Sequence, residues 1–455
     1  METRQFPLAT WRKFDAGIAF PPAVVDADND GAEDVVVALA DQRLVTISGK
    51  ILDNDGNPAI LWQADLAAQP SSQVAVRNSD QTLWLGLANG ELHGFSSATG
   101  ASAGSFSVSS AITDLAVTDG RIALAAGSDF YVKSLNAAPQ FLLSFPTLIE
   151  NVAIADLEND GELDFIAASA DGSLVIYSEN GASPELSKKI GTVAQKTGMA
   201  VGDVDGDGRK DLVFVSKTGI SAYNFNGASL LNFPIAFSTS DDSLAPPFVE
   251  PLLLQTADRA GQTVLAFSSA GDLIAYSHEG ILLDELSTSL ANQQQVASAA
   301  ADLDRDGEME LLSISGDQML TALRLNGVPA TGKHAWTGWA GNAQRTRSNT
   351  QTEVPQLSEG NLLPANMAYN YPNPTEGSET TIRYRLNGAA SKVSIKIFDM
   401  AGDLVDEFAG PATANADNEI RWQLRNIQSG VYFARIEAQA ESKSEVAIFK
   451  IAVVR

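Results

Sequence analysis

An acidic nine-residue string recurs four times in one register, and this constrains the chain more than any other feature. Its fullest copy is Asp203-Val204-Asp205-Gly206-Asp207-Gly208-Arg209-Lys210-Asp211, with carboxylates at positions one, three, five and nine and glycine at six. The other copies are Asp26, Asp28, Asp30, Gly31 and Asp34; Asp156, Glu158, Asp160, Gly161 and Asp164; and Asp302, Asp304, Asp306, Gly307 and Glu310. Asp and Gly are ordinary turn residues, so one copy would carry little weight. Four copies in register need a common cause. Calcium is a hard cation that takes roughly six to eight oxygens at about 2.3–2.6 Å, and alternate aspartates around a glycine turn supply them. An EF-hand would place Glu at the twelfth loop position between two helices. Here that position is Phe214, inside the apolar run Leu212-Val213-Phe214-Val215, so the loop joins two strands.

The first aspartates lie 130, 47 and 99 residues apart, close to three, one and two units of ~46 residues, a length in the range of propeller blades. The span predicts seven units, three without the acidic loop. Each unit carries a first turn, at Asp41-Gln42, Asn89-Gly90, Ser128-Asp129, Asp171-Gly172, Thr218-Gly219, Gly271-Asp272 and Gly316-Asp317. A second follows at Asp55-Gly56, Thr99-Gly100, Asn136, Asn180-Gly181, Asn226-Gly227, Glu279-Gly280 and Asn326-Gly327. Asn-Gly and Asp-Gly are favoured where both central residues of a hairpin turn need positive φ. Each unit therefore reads as one four-stranded blade, and residues 1–347 as a seven-bladed β-propeller with four calcium loops. Closure is expected from an outer strand, with two candidates: residues 1–22, with Phe6-Pro7-Leu8 and Trp11, or His334-Ala335-Trp336-Thr337-Gly338-Trp339. Each acidic loop is expected on one face of the propeller, in the first hairpin of its blade, away from the axis.

Polar residues without periodicity mark 348–365 as a linker. Beyond it Ile382, Tyr384 and Leu386 alternate with Thr381, Arg383 and Arg385, and Val393, Ile395 and Ile397 with Ser394 and Lys396. Period two over several short strands predicts an Ig-like β-sandwich over 366–455, so the fold class is all-β throughout. With 56 acidic and 30 basic residues the formal charge is −26, which argues against nucleic-acid and anionic-membrane partners. The absence of cysteine excludes disulfides and thiolate metal sites. No apolar run approaches the ~18 residues of a membrane span. The first residues lack the basic head and apolar core of a signal peptide, so the chain is expected to be the rear part of a longer secreted precursor.

The four loops in their seven-fold frame resemble the FG-GAP or VCBS calcium-binding propeller repeats, also found in integrin heads, over about residues 20–345. The resemblance implies up to four structural Ca2+ ions. Their ligands would be Asp26, Asp28, Asp30 and Asp34; Asp156, Glu158, Asp160 and Asp164; Asp203, Asp205, Asp207 and Asp211; and Asp302, Asp304, Asp306 and Glu310. The carbonyls of Ala32, Glu162, Arg209 and Glu308 would be the fifth protein ligands. Glu158 and Glu310 depart from the pattern, so their two sites are expected to be the weakest. Asn370-Tyr371-Pro372-Asn373-Pro374, the run Val393 to Gly402, Ser429 to Ile436 and Lys450-Ile451-Ala452-Val453-Val454 resemble the C-terminal sorting domain of type IX secretion substrates. That is a type A, FlgD-like Ig fold. This resemblance implies export by the type IX secretion machinery to the surface of a Gram-negative bacterium.

Other signals read as structural. Asp53-Asn54-Asp55-Gly56 looks like a shortened calcium loop but falls at a second-turn position. Gly327 to Lys333 approaches a phosphate-binding loop, yet His334 stands where Ser or Thr should hold magnesium. His93, His278 and His334 have no catalytic spacing, and His278-Glu279 reads as a surface pair. Trp62, Trp84, Trp336 and Trp339 read as packing residues before sugar platforms. The expected function is a secreted or cell-surface, non-catalytic binding or adhesion propeller. It would be monomeric, with an unknown protein or polysaccharide ligand. The alternative is the non-catalytic rear portion of a secreted peptidase or polysaccharide-degrading enzyme. A propeller lyase would need a basic residue such as Arg209 or Lys210 beside a calcium in a central cleft.

Overall fold

The structure is a computed structural model that describes residues 13–454, excepting 135–136, 180, 182, 191–197, 217–218, 237–249, 258–260, 268–271, 290–294, 304, 316–319, 339, 352–361, 365–366, 376, 415, 426 and 441–443. The expected ligand Asp304, the segment around Phe6 and Trp11, Trp339 and several turn residues, among them Asn136, Asn180, Thr218 and Gly271, lie outside the described residues. The chain divides into two compact units, Met1–Gly227 with Asn232–Gln356, and Ala228–Leu231 with Leu357–Arg455.

Short β-branched runs punctuated by glycine give the first unit, among the described residues, seven sheets, antiparallel except where Ser348–Asn349 joins Ile149–Ala155 in parallel. Their first strands are Ala23–Val25, Pro70–Val76, Ile112–Val117, Ile149–Ala155, Gly198–Gly202, Leu252–Leu254 and Gln295–Ala301. In the first six sheets the next three strands are added in chain order, each bonded to the one before, as expected of blades. Gly56, Gly100, Gly227 and Gly280 sit at the second turns with φ of 78°, 68°, 68° and 68°, a conformation that glycine adopts at no steric cost. Successive blades pack face to face. Val36 and Leu44 meet Val74 and Leu83; Trp84 and Leu92 meet Leu115 and Leu124; Ala123 and Phe130 meet Val152 and Phe165; Leu265 and Leu273 meet Leu311 and Leu325. Each such side chain contributes about 1.5–3 kcal/mol by leaving water, and this is the glue between blades.

The seventh sheet differs from expectation. Among the described residues it has three strands, Gln295–Ala301, Glu308–Ser315 and Leu320–Pro329. Asn326-Gly327 does not reverse the chain. Gly327, at φ 79°, lies within the third strand, which continues across a register shift until Pro329 pairs with Glu308. The chain then runs inward, so His334 to Gly338 is not an outer strand. Leu253 of blade six donates its N–H to the Trp336 carbonyl at 2.9 Å, and Ala300 of blade seven donates to Thr337 at 2.7 Å. Beyond them Val24 of blade one donates to Ala343 (3.0 Å), Val76 of blade two to Gln344 (2.9 Å), Val117 of blade three to Thr346 (2.7 Å) and Ile154 of blade four to Arg347 (3.1 Å). Asn349 Nδ2 completes the circuit at the Val201 carbonyl of blade five, 2.9 Å away.

The segment 336–349 thus touches the first strand of every blade, in the order six, seven, one, two, three, four, five. Fully extended it spans only about 45 Å, so the seven first strands must converge around it and blade seven must adjoin blade one. The first strands are the inner strands of a closed propeller, and the segment lies on its axis. The described part of the N-terminal stretch is not an outer strand of the last blade either. Ala19 N–H donates to Ala38 and Ala40 N–H to Gly17, placing it on the second strand of blade one, Asp34–Leu39.

The second unit is a two-sheet sandwich. One sheet holds Ala368–Tyr371, Glu379–Leu386 and Ala416–Gln423; the other holds Leu404–Ala409, Lys392–Phe398, Gly430–Gln439 and Ser444–Val453 in that order. Ile382, Tyr384, Leu386, Val393, Ile395 and Ile397 form its core as the alternation predicts, around Trp422. Arg383 and Arg385 are also buried, because both pair with Asp417.

Candidate metal centres

The four acidic strings connect the first and second strands of blades one, four, five and seven. In each, the residue before position one pairs with position nine: Val25 with Asp34, Ala155 with Asp164, Gly202 with Asp211 and Ala301 with Glu310. The loops therefore spring from the inner strands that grip the axial segment. The expectation that they lie away from the axis is corrected on that point, because the inner strand sets where its first hairpin begins.

One hydrogen-bond pattern folds all four. The position-two N–H donates to the position-nine carboxylate: Ala27 to Asp34 (2.9 Å), Leu157 to Asp164 (2.8 Å), Val204 to Asp211 (2.9 Å) and Leu303 to Glu310 (2.8 Å). The position-six glycine N–H donates to the position-one carboxylate, as Gly31 to Asp26, Gly161 to Asp156, Gly208 to Asp203 and Gly307 to Asp302. Position seven donates to position five, as Ala32 to Asp30, Glu162 to Asp160, Arg209 to Asp207 and Glu308 to Asp306. Both positions four and six take positive φ: Asn29, Asn159, Gly206 and Arg305 at 57°, 59°, 76° and 59°, then Gly31, Gly161, Gly208 and Gly307 at 84°, 90°, 87° and 92°. Two left-handed residues curl the backbone inside the ring of carboxylates, which is why glycine recurs at six.

The loops differ in charge. Oxygen atoms of Asp26, Asp28 and Asp34 lie within 4.8 Å of one another, as do those of Asp203, Asp205 and Asp211. Among the described residues these are the two convergent triplets, and the Glu158 loop offers no third. Blade five's loop is buried apart from the half-exposed Arg209. Burial, reinforced by repulsion from Asp205, Asp207 and Asp203, pushes the Asp211 carboxyl well above the usual range, against the pull of the Val204 N–H. Burial likewise raises Asp164 to about 7, helped by Glu158, Glu185 and Asp156. In blades one and seven a cation approaches position five: Lys50 lies 3.5 Å from Asp30, and Arg324 lies 2.6 Å from Asp306. Neither cation was legible in the strings, since each comes from the third strand of its blade.

Neighbouring loops are also joined. Lys210, fully buried at position eight in blade five, donates its backbone N–H to Leu157 (2.8 Å) and its Nζ to the Asp156 carbonyl (2.9 Å) of blade four. On the other side Gln262 N–H of blade six donates to the Val204 carbonyl at 3.1 Å. Arg209 lies over the Phe225 ring at 4.8 Å.

The remaining sequence candidates fall where packing would put them. Asp53 closes the hairpin between Arg43–Leu52 and Pro58–Asp65, accepting from Asp55 and Asn57. Trp84 packs against Phe106, and Trp336 is buried on the axis with Nε1 donating to Glu250. Trp62 Nε1 donates to the Ser97 carbonyl. His93 contacts Ser102 and Glu91, His278 lies 3.8 Å from Glu279, and His334 sits at the entry to the axial segment; the structure does not bring the three together. Sequence reading missed the axial charges: Arg347 pairs with Asp114 of blade three and with Glu250 just before the inner strand of blade six.

Comparison with known proteins bears on both units. Residues 156–214, two of the acidic loops and the chain between them, match the family model for the FG-GAP-like repeat. Residues 370–450 match that for the secretion system C-terminal sorting domain, the type IX class, which marks a protein that is secreted or held at the cell surface. Among solved structures the chain is similar to BamB from Moraxella catarrhalis, at 15% identity and TM-score 0.46 over 69% of this chain and 89% of that one. It is also similar to the WD40 β-propeller domain of Doa1, at 14% identity and TM-score 0.45 over 68% and 94%. No curated protein matches the chain.

Proposed function

We propose that the first unit is a calcium-stapled, non-catalytic binding or adhesion module that the sorting unit delivers to the cell surface through the type IX secretion machinery. The shared hydrogen-bond pattern of the four loops carries this reading. Four loops of different sequence adopt the same backbone course, with the same two left-handed residues and the same glycine N–H to position-one bond, and in blades one and five three carboxylates converge. Two unit charges 4 Å apart repel by about 4 kcal/mol at an effective dielectric of 20, so such clusters favour a divalent cation. The donor set, all hard oxygen, suits calcium. Asp203, Asp205, Asp207 and Asp211 would hold one ion and Asp26, Asp28, Asp30 and Asp34 another. The sites with Asp156, Glu158, Asp160 and Asp164, and with Asp302, Asp304, Asp306 and Glu310, complete the set of four. Glu310 makes the same bond to position two as the closing aspartates do, so its extra methylene is accommodated.

Bound calcium would supply charge neutralisation and hold the first hairpin of each blade. The axis is filled by the chain itself, which directs a protein or polysaccharide ligand to the blade faces and rims. A thermal melt in chelator and in millimolar calcium tests the reading. Calcium is expected to raise the Tm of the wild type, and the rise should shrink in Asp203→Ala/Asp205→Ala. A wild type indifferent to calcium would overturn it.

A further inference from the structure

The axial segment is placed with a regularity that packing alone does not require. Its partners in the four acidic blades, Val24, Ile154, Val201 and Ala300, each stand two residues before the first carboxylate of a loop: Asp26, Asp156, Asp203 and Asp302. These four inner strands are bound at the same position relative to their loops, and in six of the seven blades a main-chain N–H donates to the segment's carbonyls. The segment is also fixed at both ends. Glu250 accepts from Trp336 Nε1 (3.1 Å) and from Ala340 N–H (2.8 Å), and pairs with Arg347; Arg345 Nε donates to the Pro22 carbonyl at 2.9 Å. Glu250 therefore clamps the beginning of the segment to its end across the axis. The seventh sheet, meanwhile, shows no outer strand borrowed from the other terminus among the described residues.

We propose that residues 336–349 form an axial clasp that closes the ring of seven blades. Blades one and seven are held in one ring through a strand that all seven share, so closure is a property of this segment and is lost from every blade together when it leaves. Because the clasp follows all seven blades in sequence, the ring closes only after the chain through Asn349 is in place. The acidic loops, two residues away on the same inner strands, then rest on a closed ring. The inference stands on the seven contacts and does not need the loops to hold metal.

Hydrogen exchange on the full chain tests it, with Arg347→Met to loosen the clasp. Losing the buried pair should speed exchange by about a hundredfold or more in all seven inner strands in parallel. Faster exchange confined to 340–349 and to the strands next to Asp114 and Glu250 would overturn the proposal. A second arm uses the wild-type sequence with a protease site inserted in the turn 330–333, cut after folding. The clasp should stay bound without its covalent link, and mild urea should release it in the same transition that opens all seven blades. Release of the clasp while the blades keep their melting temperature and protection would refute it. Both arms are run in chelator and in calcium. A common calcium response with local exchange sinks the clasp and keeps the metal reading; global exchange indifferent to calcium does the reverse.

Discussion

The Nε of Arg347 lies 2.9 Å from Asp114 Oδ1, and each of the two side chains is 5% exposed. The same guanidinium reaches Glu250, so one cation spans the axis between blades three and six. Removing one member of a buried pair leaves an uncompensated charge, at a cost of about 3–5 kcal/mol. Arg347→Met should therefore destabilise the first unit by that amount in urea unfolding. The triple change Asp114→Asn/Glu250→Gln/Arg347→Met should recover part of the loss, since no buried charge is left alone. A single variant within ~0.5 kcal/mol of wild type would show that the pair carries no such cost.

Asp114 should also leave a mark on pH dependence. Burial raises its carboxyl to about 6 from an ordinary value near 3.8, and Glu250 adds to this; Arg347, the Val152 N–H and Gln73 oppose it. The folded state thus holds a proton between about pH 4 and 6 that the unfolded chain has released. Stability from this group is full below pH 4 and falls as pH rises through 6, by on the order of 3 kcal/mol. The difference in unfolding free energy between wild type and Asp114→Asn should shift by about 2 kcal/mol between pH 4.5 and 7.5, against the wild type. Taking the difference cancels the titration of the acidic loops and any constant cost of the amide. A difference that does not change with pH would contradict the raised value.

The blades were readable because their signals are local. Alternate carboxylates, a left-handed glycine at position six and Asn-Gly turns each specify a few neighbouring dihedrals, and Gly56, Gly100 and Gly227 hold the φ values those turns require. The position-nine register also follows, since each carboxylate faces the last residue of its own hairpin. Closure was not readable. Residues 336–349 have no period of two, and their partners are seven strands scattered from Val24 to Ala300. Asn326-Gly327 carries the same dipeptide as Asn226-Gly227, yet only the latter turns, because the strand of blade seven continues into pairing with Glu308. Lys50 and Arg324 were hidden for a similar reason: their proximity to Asp30 and Asp306 is made by strand register and not by spacing in the string.

Lys210 ties the loops of two blades together through its side chain as well as its backbone. Its Nζ donates to the Asp156 carbonyl at 2.9 Å in a fully buried position. Lys210→Met keeps the stem and the backbone bond to Leu157 but leaves that carbonyl without this donor, which costs about 1–3 kcal/mol. Arg209→Met, next in sequence, half-buried and with its guanidinium over the Phe225 ring, should cost roughly 0.5–1 kcal/mol. Urea unfolding of the two variants in chelator separates them, and equal losses would argue that Lys210 acts only through its apolar stem.

His334 guards the entry to the axial segment in one protonation state. Gln255 N–H donates to its Nδ1 at 3.2 Å, and its Nε2 lies 2.9 Å from the Pro329 carbonyl, so the ring is neutral with its proton on Nε2. Burial lowers its pKa, against the opposing effect of the Pro329 carbonyl. The unfolded chain therefore takes up a proton near pH 6.5 while the folded chain does not. The contribution is constant above 6.5 and is lost as pH falls below it, the opposite slope to that of Asp114. Protonation of Nδ1 would break the Gln255 bond just before Trp336, where the chain turns toward the axis. The wild type should lose stability relative to His334→Gln between pH 7.5 and 5.5 in urea unfolding, with exchange at Leu253 and Trp336 rising first. A wild type that keeps its advantage at pH 5.5 would mean that the ring accepts a proton in the folded state, and that its bond to Gln255 does not hold the entry closed.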